Sequence, residues 1–175
     1  MRRFSFITSL LAASLLSACI ARKPTLPTNI PPVSGDKQTL YALEYIDVVE
    51  GKGARAEIRR CAYAHYTGWL LDGTKFDSSR DTLPNGTPRD PIAVPLGARR
   101  VIPGWDSGFD GMRVGGKRRL FIPWQLAYGE TGRGEIPPRA PLIFDIELMA
   151  MADTVTRPAP SQGPPQCADW SQVSR

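Results

Sequence analysis

The hydrophobic pattern of this chain favours short β-strands. Four stretches are rich in aromatic and β-branched residues or alternate apolar with polar positions, as strands with one buried face do. These strand candidates are Leu40 to Val49, Glu57 to Leu70, Arg118 to Ile122 and Leu142 to Met149.

One short helix is predicted between the second and third candidates. Pro103 suits the first turn of a helix, and Trp105, Phe109 and Met112 recur at helical spacing. Gly111 is expected to help end this helix. For Phe109 and Met112 the spacing indicates a role in the core alone. Several strands around one amphipathic helix predict an α+β domain, whose antiparallel sheet wraps the apolar face of the helix.

Proline and glycine positions bound the folded unit. Eight of the 17 prolines lie in two end segments, whereas 14 of the 16 glycines fall between Gly51 and Gly134. The prolines favour an extended, poorly packed tether over 19–39 and a second proline-rich segment over 153–175. The composition therefore predicts one domain at 40–152.

The N-terminal residues carry the pattern of a secretory leader. Arg2 and Arg3 precede an apolar run from Phe4 to Leu16, which is followed by small residues. The run is shorter than the ~18 to 20 residues needed to span a bilayer. We therefore expect residues 1–18 to be a signal peptide.

The end of this leader resembles the bacterial lipobox. In Leu16-Ser17-Ala18-Cys19 the cysteine would be lipidated and would become the new N-terminus. Ile20 is not the aspartate that signals inner-membrane retention in that class. The resemblance implies an outer-membrane lipoprotein held by several acyl chains, with its domain in the periplasm or at the cell surface.

Charge and composition narrow the chemistry. The 175 residues include 22 Lys+Arg and 17 Asp+Glu, and loss of the leader with its two arginines would lower the net charge from +5 to +3. This mild charge, without clustered basic and aromatic residues, argues against nucleic acid as a partner. A single histidine and three dispersed cysteines lack zinc-site spacing, so no metal and no cofactor is expected. The run Gly115 to Arg119 lacks Walker spacing, and we predict a turn leading into a solvated strand start.

A series of motifs resembles the FKBP-type peptidyl-prolyl cis/trans isomerases. The first motifs are Tyr66 to Leu70 and Asp72 to Ser79, and the others follow in the same order: Pro95 to Gly97, Val101 to Trp105, Gly108 to Met112, Val114 to Gly115, Leu126 to Gly129, Ile136 to Pro138 and Leu142 to Leu148. Collinear matches over about 110 residues are far more specific than one short motif. The resemblance implies a half-wrapped antiparallel sheet around one short helix, with a shallow apolar pocket that holds a proline ring.

The family's functional residues carry over position by position. The resemblance assigns substrate binding to Tyr66, Phe76, Ile92, Val101, Trp105, Ile136 and Phe144, and catalysis to Asp77, Ile102 and Tyr128. Trp105 would form the pocket floor. The Ile102 N–H and the Tyr128 hydroxyl would hold substrate carbonyls, and Asp77 would position polar groups without acting as a general base.

Several positions depart from the family pattern. Ile92 stands where the family has an aromatic residue, Arg100 stands where many members have an acidic one, and residues 82–90 are extra. The position of the family's basic partner for the pocket aspartate aligns with either Thr82, which has no charge, or Arg89, so the presence of that ion pair stays open. These departures lie at the pocket rim, where substrate preference is usually set.

Other interpretations stay open at this point. Asp77 precedes two serines and could equally form a turn with its own backbone, and Tyr128 could be an ordinary loop tyrosine. The resemblance implies an isomerase that acts on proline-containing unfolded or exported polypeptides, works as a monomer and is competed by macrolides such as tacrolimus. The alternative is a binding or chaperone module for such partners with little turnover.

Cysteine parity predicts a disulfide. Lipidation of Cys19 would leave Cys61 and Cys167, an even pair in a compartment where disulfides persist. Strand alternation places Cys61 and His65 on the face opposite Tyr66, so Cys61 would point away from the pocket if Tyr66 lines it. The C-terminal segment could reach that face, and we predict a Cys61–Cys167 bridge; the alternative is two free thiols. His65 is expected at the surface.

Overall fold

The computed structural model describes residues 27–35, 38–40, 42–153 and 166–173. The predicted signal peptide 1–18, the predicted lipidation site Cys19 and most of the segment after 153 lie outside the described residues. Within them the elements are β1 (Gln38–Leu40), β2 (Leu43–Val49), β3 (Arg60–Leu70), β4 (Lys75–Ser78), β5 (Ile92–Pro95), α1 (Pro103–Gly108), β6 (Lys117–Ile122), a 3-10 helix (Trp124–Leu126), β7 (Leu142–Asp153) and a second 3-10 helix (Trp170–Gln172). No helix among these residues has the length and hydropathy needed to cross a bilayer.

The strands form one antiparallel sheet that wraps the helix. Their order is β1-β2-β6-β7-β3-β4, and β5 also pairs with β3. The longest pairing joins β3 to β7, from Arg60 opposite Asp153 to Leu70 opposite Leu142. One face of this sheet and the helix enclose the main core, which includes Leu120, Phe144 and Ile146. The predicted α+β class, with a half-wrapped antiparallel sheet around one short helix, is confirmed.

The helix is short and lies very close to β6. A Cβ on Gly104 would lie 2.4 Å from an Ile122 side-chain carbon, and one on Gly108 would lie 2.4 Å from Leu120. The helix ends at Gly108, before the predicted Gly111, because the next residues turn through i→i+3 bonds such as Met112 N–H to the Phe109 carbonyl. Phe109 and Met112 are nevertheless buried in the core, as the spacing predicted.

The four predicted strands are present with shifted ends, and two further strands were missed. The first candidate contains β2 and the last residue of β1, the second begins at Arg60, and the last runs on to Asp153. The missed strands, β4 and β5, have four residues each. Four residues hold too few alternations to be recognised from periodicity.

Two arginines in β6 contradict the predicted solvated strand start. Arg118 and Arg119 are 4% and 0% exposed. Each forms a bidentate ion pair across the sheet, Arg118 with Asp47 at 2.6 and 3.0 Å and Arg119 with Asp145 at 2.5 and 2.7 Å. Arg118 also donates to the carbonyls of Gly108 and Asp110. Burial is tolerated because these partners satisfy the guanidinium donors.

Residues 27–33, called here the N-terminal strap, correct the expectation of a poorly packed tether. Ile30 is 3% exposed and packs against Trp69 and Ile143 on the outer face of the sheet. The buried Arg119 donates to the Pro31 carbonyl at 2.6 Å. The proline-rich composition predicts an extended chain, but it does not indicate that Ile30 packs against apolar residues of the sheet.

Residues 166–173, called here the C-terminal strap, cover the other end of that outer face. Cys61 and Cys167 form a disulfide, so the predicted pairing is present. Tyr63 donates to the Ala168 carbonyl at 2.7 Å, and its ring lies 5.5 Å from that of Trp170. Cys61 and Tyr63 are fully buried under the strap. The outer face therefore carries two small buried clusters, one under each strap, and both are separate from the core around the helix.

Candidate active site

An open cleft of about 880 Å³ lies between the helix and the inner face of the sheet. All ten side chains that the sequence assigned to catalysis and substrate binding line it. They are Tyr66, Phe76, Asp77, Ile92, Val101, Ile102, Trp105, Tyr128, Ile136 and Phe144. Residues from four strands, the start of the helix and two loops therefore meet in one place.

Aromatic rings form the floor and walls of the cleft. Trp105 is 4% exposed, and its ring meets those of Tyr66 and Phe144 edge to face, at centroid distances of 5.0 and 5.2 Å. Phe76 meets Phe144 in the same way at 5.5 Å. Through these contacts the rings fix one another's orientation, and together they form an apolar surface of defined shape. The buried Trp105 Nε1 has no hydrogen-bond partner among the described residues.

Gly68 makes this aromatic wall possible. It lies in β3 beside the rings, where an added Cβ would be 2.6 Å from Phe76 and 2.7 Å from Phe144. No side chain fits at those distances, so the two rings could not occupy their places beside another residue. Sequence reasoning did not single out this glycine, although it lies inside the Tyr66 to Leu70 motif.

Polar groups lie at one end of the cleft. The Tyr66 hydroxyl donates to Asp77 Oδ2 at 2.5 Å, and Arg89 Nη1 lies 3.7 Å from Asp77 Oδ1. Burial, and then the hydrogen bond to Asp77, raise the pKa of Tyr66, so its hydroxyl remains a donor at neutral pH. The basic residue that lies beside Asp77 is therefore Arg89 and not the residue at position 82, two positions between which the sequence did not decide. Asp77 is held by groups distant in sequence, which the turn-forming interpretation does not account for.

Two further groups are available to a ligand. Ile102 lies at the N-terminal end of α1, where its carbonyl accepts from Trp105 N–H at 2.9 Å. No acceptor within the described part of the chain takes the Ile102 N–H. Tyr128, half-buried at the edge of the cleft, has the Arg133 guanidinium 5.8 Å from its ring centroid. A hydrogen-bond donor and a hydroxyl thus flank the aromatic floor.

The rim holds charged residues that sequence reasoning did not assign to the site. Arg99, Arg133 and Glu135 line the cleft together with Arg100, which was noted only as a departure from the family pattern. They lie on the loops before the helix and before β7. Loop positions carry no periodicity, so the arginine pair next to Val101 was the one signal that could have indicated them.

His65 lies outside the cleft, as strand alternation predicted. It is half-buried on the outer face, where its Nδ1 is 3.0 Å from Ser79 Oγ. Burial, and then the charge of Arg80, lower its pKa. The cleft itself offers no thiol, serine–histidine pair or metal ligand set among the described residues. Its walls can bind an apolar ring, exclude water and orient peptide groups.

Comparison with known proteins agrees with this geometry. The family model for FKBP-type peptidyl-prolyl cis-trans isomerase matches residues 53–149. An FK506-binding protein of Neisseria meningitidis serogroup B is 50% identical over 104 residues, which are 59% of this chain and 90% of that protein. The isomerase FkpA of Aeromonas hydrophila is 45% identical over 117 residues, which are 67% of this chain and 41% of FkpA.

Solved structures agree as well. The crystal structure of FkpA from Escherichia coli superimposes with a TM-score of 0.58 at 36% identity, over 67% of this chain and 52% of that one. AtFKBP13 superimposes with a TM-score of 0.56 at 39% identity, over 63% of this chain and 93% of that one. The family model, over residues 53–149, spans β3 to β6, the helix and all ten cleft residues.

Proposed function

Since this chain belongs to the FKBP-type peptidyl-prolyl cis-trans isomerase family and is a peptidyl-prolyl isomerase, we propose that its cleft twists X-Pro bonds of exported polypeptides without covalent chemistry. The observation that carries the proposal is the convergence of ten side chains on one aromatic cleft with polar groups at its end. The prolyl ring occupies the space above Trp105, and the amide lies beside Asp77 and Tyr128.

The chemistry follows from the nature of the amide barrier. Rotation about an X-Pro bond loses amide conjugation, which costs ~18 to 20 kcal/mol, and breaks no covalent bond. The twisted amide carries less separated charge than the planar one, so it loses less on leaving water and is favoured in an apolar cleft. A barrier near 20 kcal/mol gives on the order of 0.01 events per second, and lowering it by about 7 kcal/mol raises the rate about 10⁵-fold.

The polar groups position the substrate. The Ile102 N–H donates to a peptide carbonyl, and the Tyr128 hydroxyl donates to a second one. The Asp77 carboxylate, held by Tyr66 and Arg89, supplies a fixed negative charge at the reacting amide. Donors and charges fixed before the substrate arrives need no reorganisation during the rotation, which is the condition for stabilising the twisted state.

Variants of the two polar side chains test these roles. Tyr128→Phe and Asp77→Asn should each lower kcat/KM for a Leu-Pro peptide at least about ten-fold, with the thermal midpoint changed by less than about 3 °C, because neither side chain is buried in the core. Tyr63→Phe is the matched hydroxyl control, because Tyr63 donates to Ala168 on the outer face. Asp72→Asn is the matched carboxylate control at an exposed turn. Equal losses in the controls, or unchanged kcat/KM in the cleft variants, would overturn the assigned roles.

The same cleft is the proposed binding site for macrolides. Relatives that match this chain are named for binding FK506, which is tacrolimus. We propose that tacrolimus occupies the aromatic floor here and competes with proline peptides. One equivalent should suppress peptide turnover, and a Trp105→Ala variant should bind the macrolide more weakly than the wild type.

The N-terminal motif supports a membrane-anchored form in the cell envelope. We propose that Cys19 carries the lipid and that the domain faces the periplasm or the cell surface from the outer membrane. Radiolabelled palmitate should be incorporated into the wild-type protein and should be lost in Cys19→Ala, which should appear in the soluble envelope fraction. Equal labelling of both proteins, or equal fractionation, would contradict the lipid anchor.

The proposed oligomeric state is a monomer. Prolines at 24, 27, 31 and 32 do not allow a long dimerisation helix before the domain. Light scattering of the Cys19→Ala protein should give a mass that matches one chain across a hundred-fold range of concentration. A mass that doubles within that range would contradict the proposal.

A further inference from the structure

The rim of the cleft carries cations without carboxylate partners. Arg99, Arg100 and Arg133 are exposed, and none forms an ion pair with any described residue. Neighbouring arginines are paired, since Arg89 lies 3.7 Å from Asp77 and Arg139 lies 2.9 Å from Glu130. The charges of the three rim arginines are therefore available to pair with a ligand.

The charge of the cleft is positive once internal pairs are counted. Of its two acidic lining residues, Asp77 is compensated by Arg89 and accepts from Tyr66. Glu135 is the one uncompensated carboxylate that lines the cleft among the described residues, and the same lining contains three arginines. A cleft with low-dielectric aromatic walls focuses such a field toward an incoming peptide.

The arginines lie next to the groups that hold the peptide. Arg100 is bonded directly to Val101, whose side chain lines the cleft, and precedes Ile102 by two residues. Arg133 reaches the Tyr128 ring from a second loop. A peptide whose proline occupies the cleft would therefore place its flanking residues near these side chains.

We propose that this cleft selects proline peptides that carry carboxylate side chains on the residues flanking the proline. The inference rests on the proposed use of the cleft for proline peptides and names their chemistry. A Glu or Asp near the X-Pro bond pairs with the rim guanidiniums, which match carboxylates in a bidentate manner. Exposed pairs are individually weak, so the preference is graded and sensitive to salt.

Three peptides with a common Leu-Pro-Phe core test the proposal. They carry Glu, Gln or Lys on both sides of that core, so the groups entering the aromatic floor are the same in all three. Protein titrations followed by NMR give each Kd, and exchange spectra of the same samples give turnover. At low salt the Glu peptide should bind about five-fold more tightly than the Gln peptide, and the Lys peptide should bind most weakly. The gap should close in about 0.5 M salt.

Single substitutions assign the effect. Arg100→Gln and Arg133→Gln should each reduce the Glu-to-Gln ratio of Kd values, whereas Lys52→Gln removes an exposed charge outside the cleft and should leave the ratio unchanged. Equal Kd values for the Glu and Gln peptides, or a preference for Lys, would overturn the inference. Exchange at the buffer rate for all three peptides, with the binding preference intact, would count against the isomerase function while supporting the selectivity.

Discussion

Removal of the Cys61–Cys167 bridge is the perturbation whose effect on the free energy of unfolding the fold determines best. The bridge joins β3 to the C-terminal strap across a sequence separation of 106 residues. In the folded protein the strap is also held by the Tyr63 hydroxyl and by Val173, which is 8% exposed. Loss of the bridge should therefore leave the native contacts largely in place and act mainly on the unfolded chain.

The magnitude follows from loop closure. In the chain-entropy model a disulfide lowers the conformational entropy of the unfolded chain. For a closed loop of ~100 residues, this stabilises the folded protein by about 4.7 kcal/mol. Engineered and native bridges often give less, so we expect Cys167→Ala to lower the free energy of unfolding by about 3 to 5 kcal/mol. Isomerase turnover at 25 °C should be unchanged, because the bridge lies on the face of the sheet opposite the cleft.

Urea denaturation of the oxidised protein and of Cys167→Ala, both with Cys19→Ala, measures the difference. Treatment with reductant should lower the stability of the first protein to that of the second and should leave the second unchanged. Intact mass after denaturing alkylation reports the thiols directly. Two alkylated cysteines in the unreduced protein, or a stability loss under about 1 kcal/mol, would refute the loop-closure argument.

Three further predictions concern the N-terminal strap, the aromatic wall and pH. Ile30→Ala should lower the free energy of unfolding by about 2 to 3 kcal/mol, because Ile30 is 3% exposed. Ile58→Ala, at a position that is 73% exposed, should lower it by less than about 0.5 kcal/mol. Equal losses in the two variants by urea denaturation would contradict the packing of the N-terminal strap on the sheet. Gly68→Ala should lower kcat/KM for a Leu-Pro peptide several-fold, because its Cβ would overlap two ring positions, and wild-type kcat/KM would refute this. Burial first, and then a nearby arginine, lower the pKa of His65 from 6.5, so between the folded-state pKa and 6.5 the unfolded chain binds more protons than the folded chain. The thermal midpoint should fall as pH decreases from 6.5 to about 5.5, and His65→Gln should flatten this slope; an unchanged slope in the variant would contradict the assignment.

The inner face of the sheet could be predicted from sequence because its signals are local or collinear. Alternation along β3 placed Tyr66 on the cleft face and Cys61 on the other, and the structure agrees. The helical spacing of Trp105 and Phe109 identified the residues that the sheet covers. Motif order then assigned ten residues that line one cleft.

Apart from the Cys61–Cys167 bridge, which cysteine parity predicted, the contacts of the outer face could not be predicted because they join segments distant in sequence. Arg119 looked like a solvated strand residue, and only its pairing with Asp145 and the Pro31 carbonyl accounts for its burial. Ile30 lies among prolines that are typical of extended chain, and its contact with Trp69 forms only once the sheet is assembled.

One contact in the cleft also could not be assigned from sequence. Arg89 was one of two positions considered for the partner of the pocket aspartate, because the length of the 82–90 insertion does not specify the path of that loop.

The central claim is that the aromatic cleft itself accelerates X-Pro rotation. The most direct test is two-dimensional exchange NMR of a Leu-Pro peptide with a substoichiometric amount of the protein, before and after one equivalent of tacrolimus. We predict exchange orders of magnitude above the uncatalysed rate, saturable with peptide and returned to the buffer rate when the macrolide fills the cleft. Exchange at the buffer rate with folded protein, or acceleration that persists while tacrolimus occupies the cleft, would contradict the account.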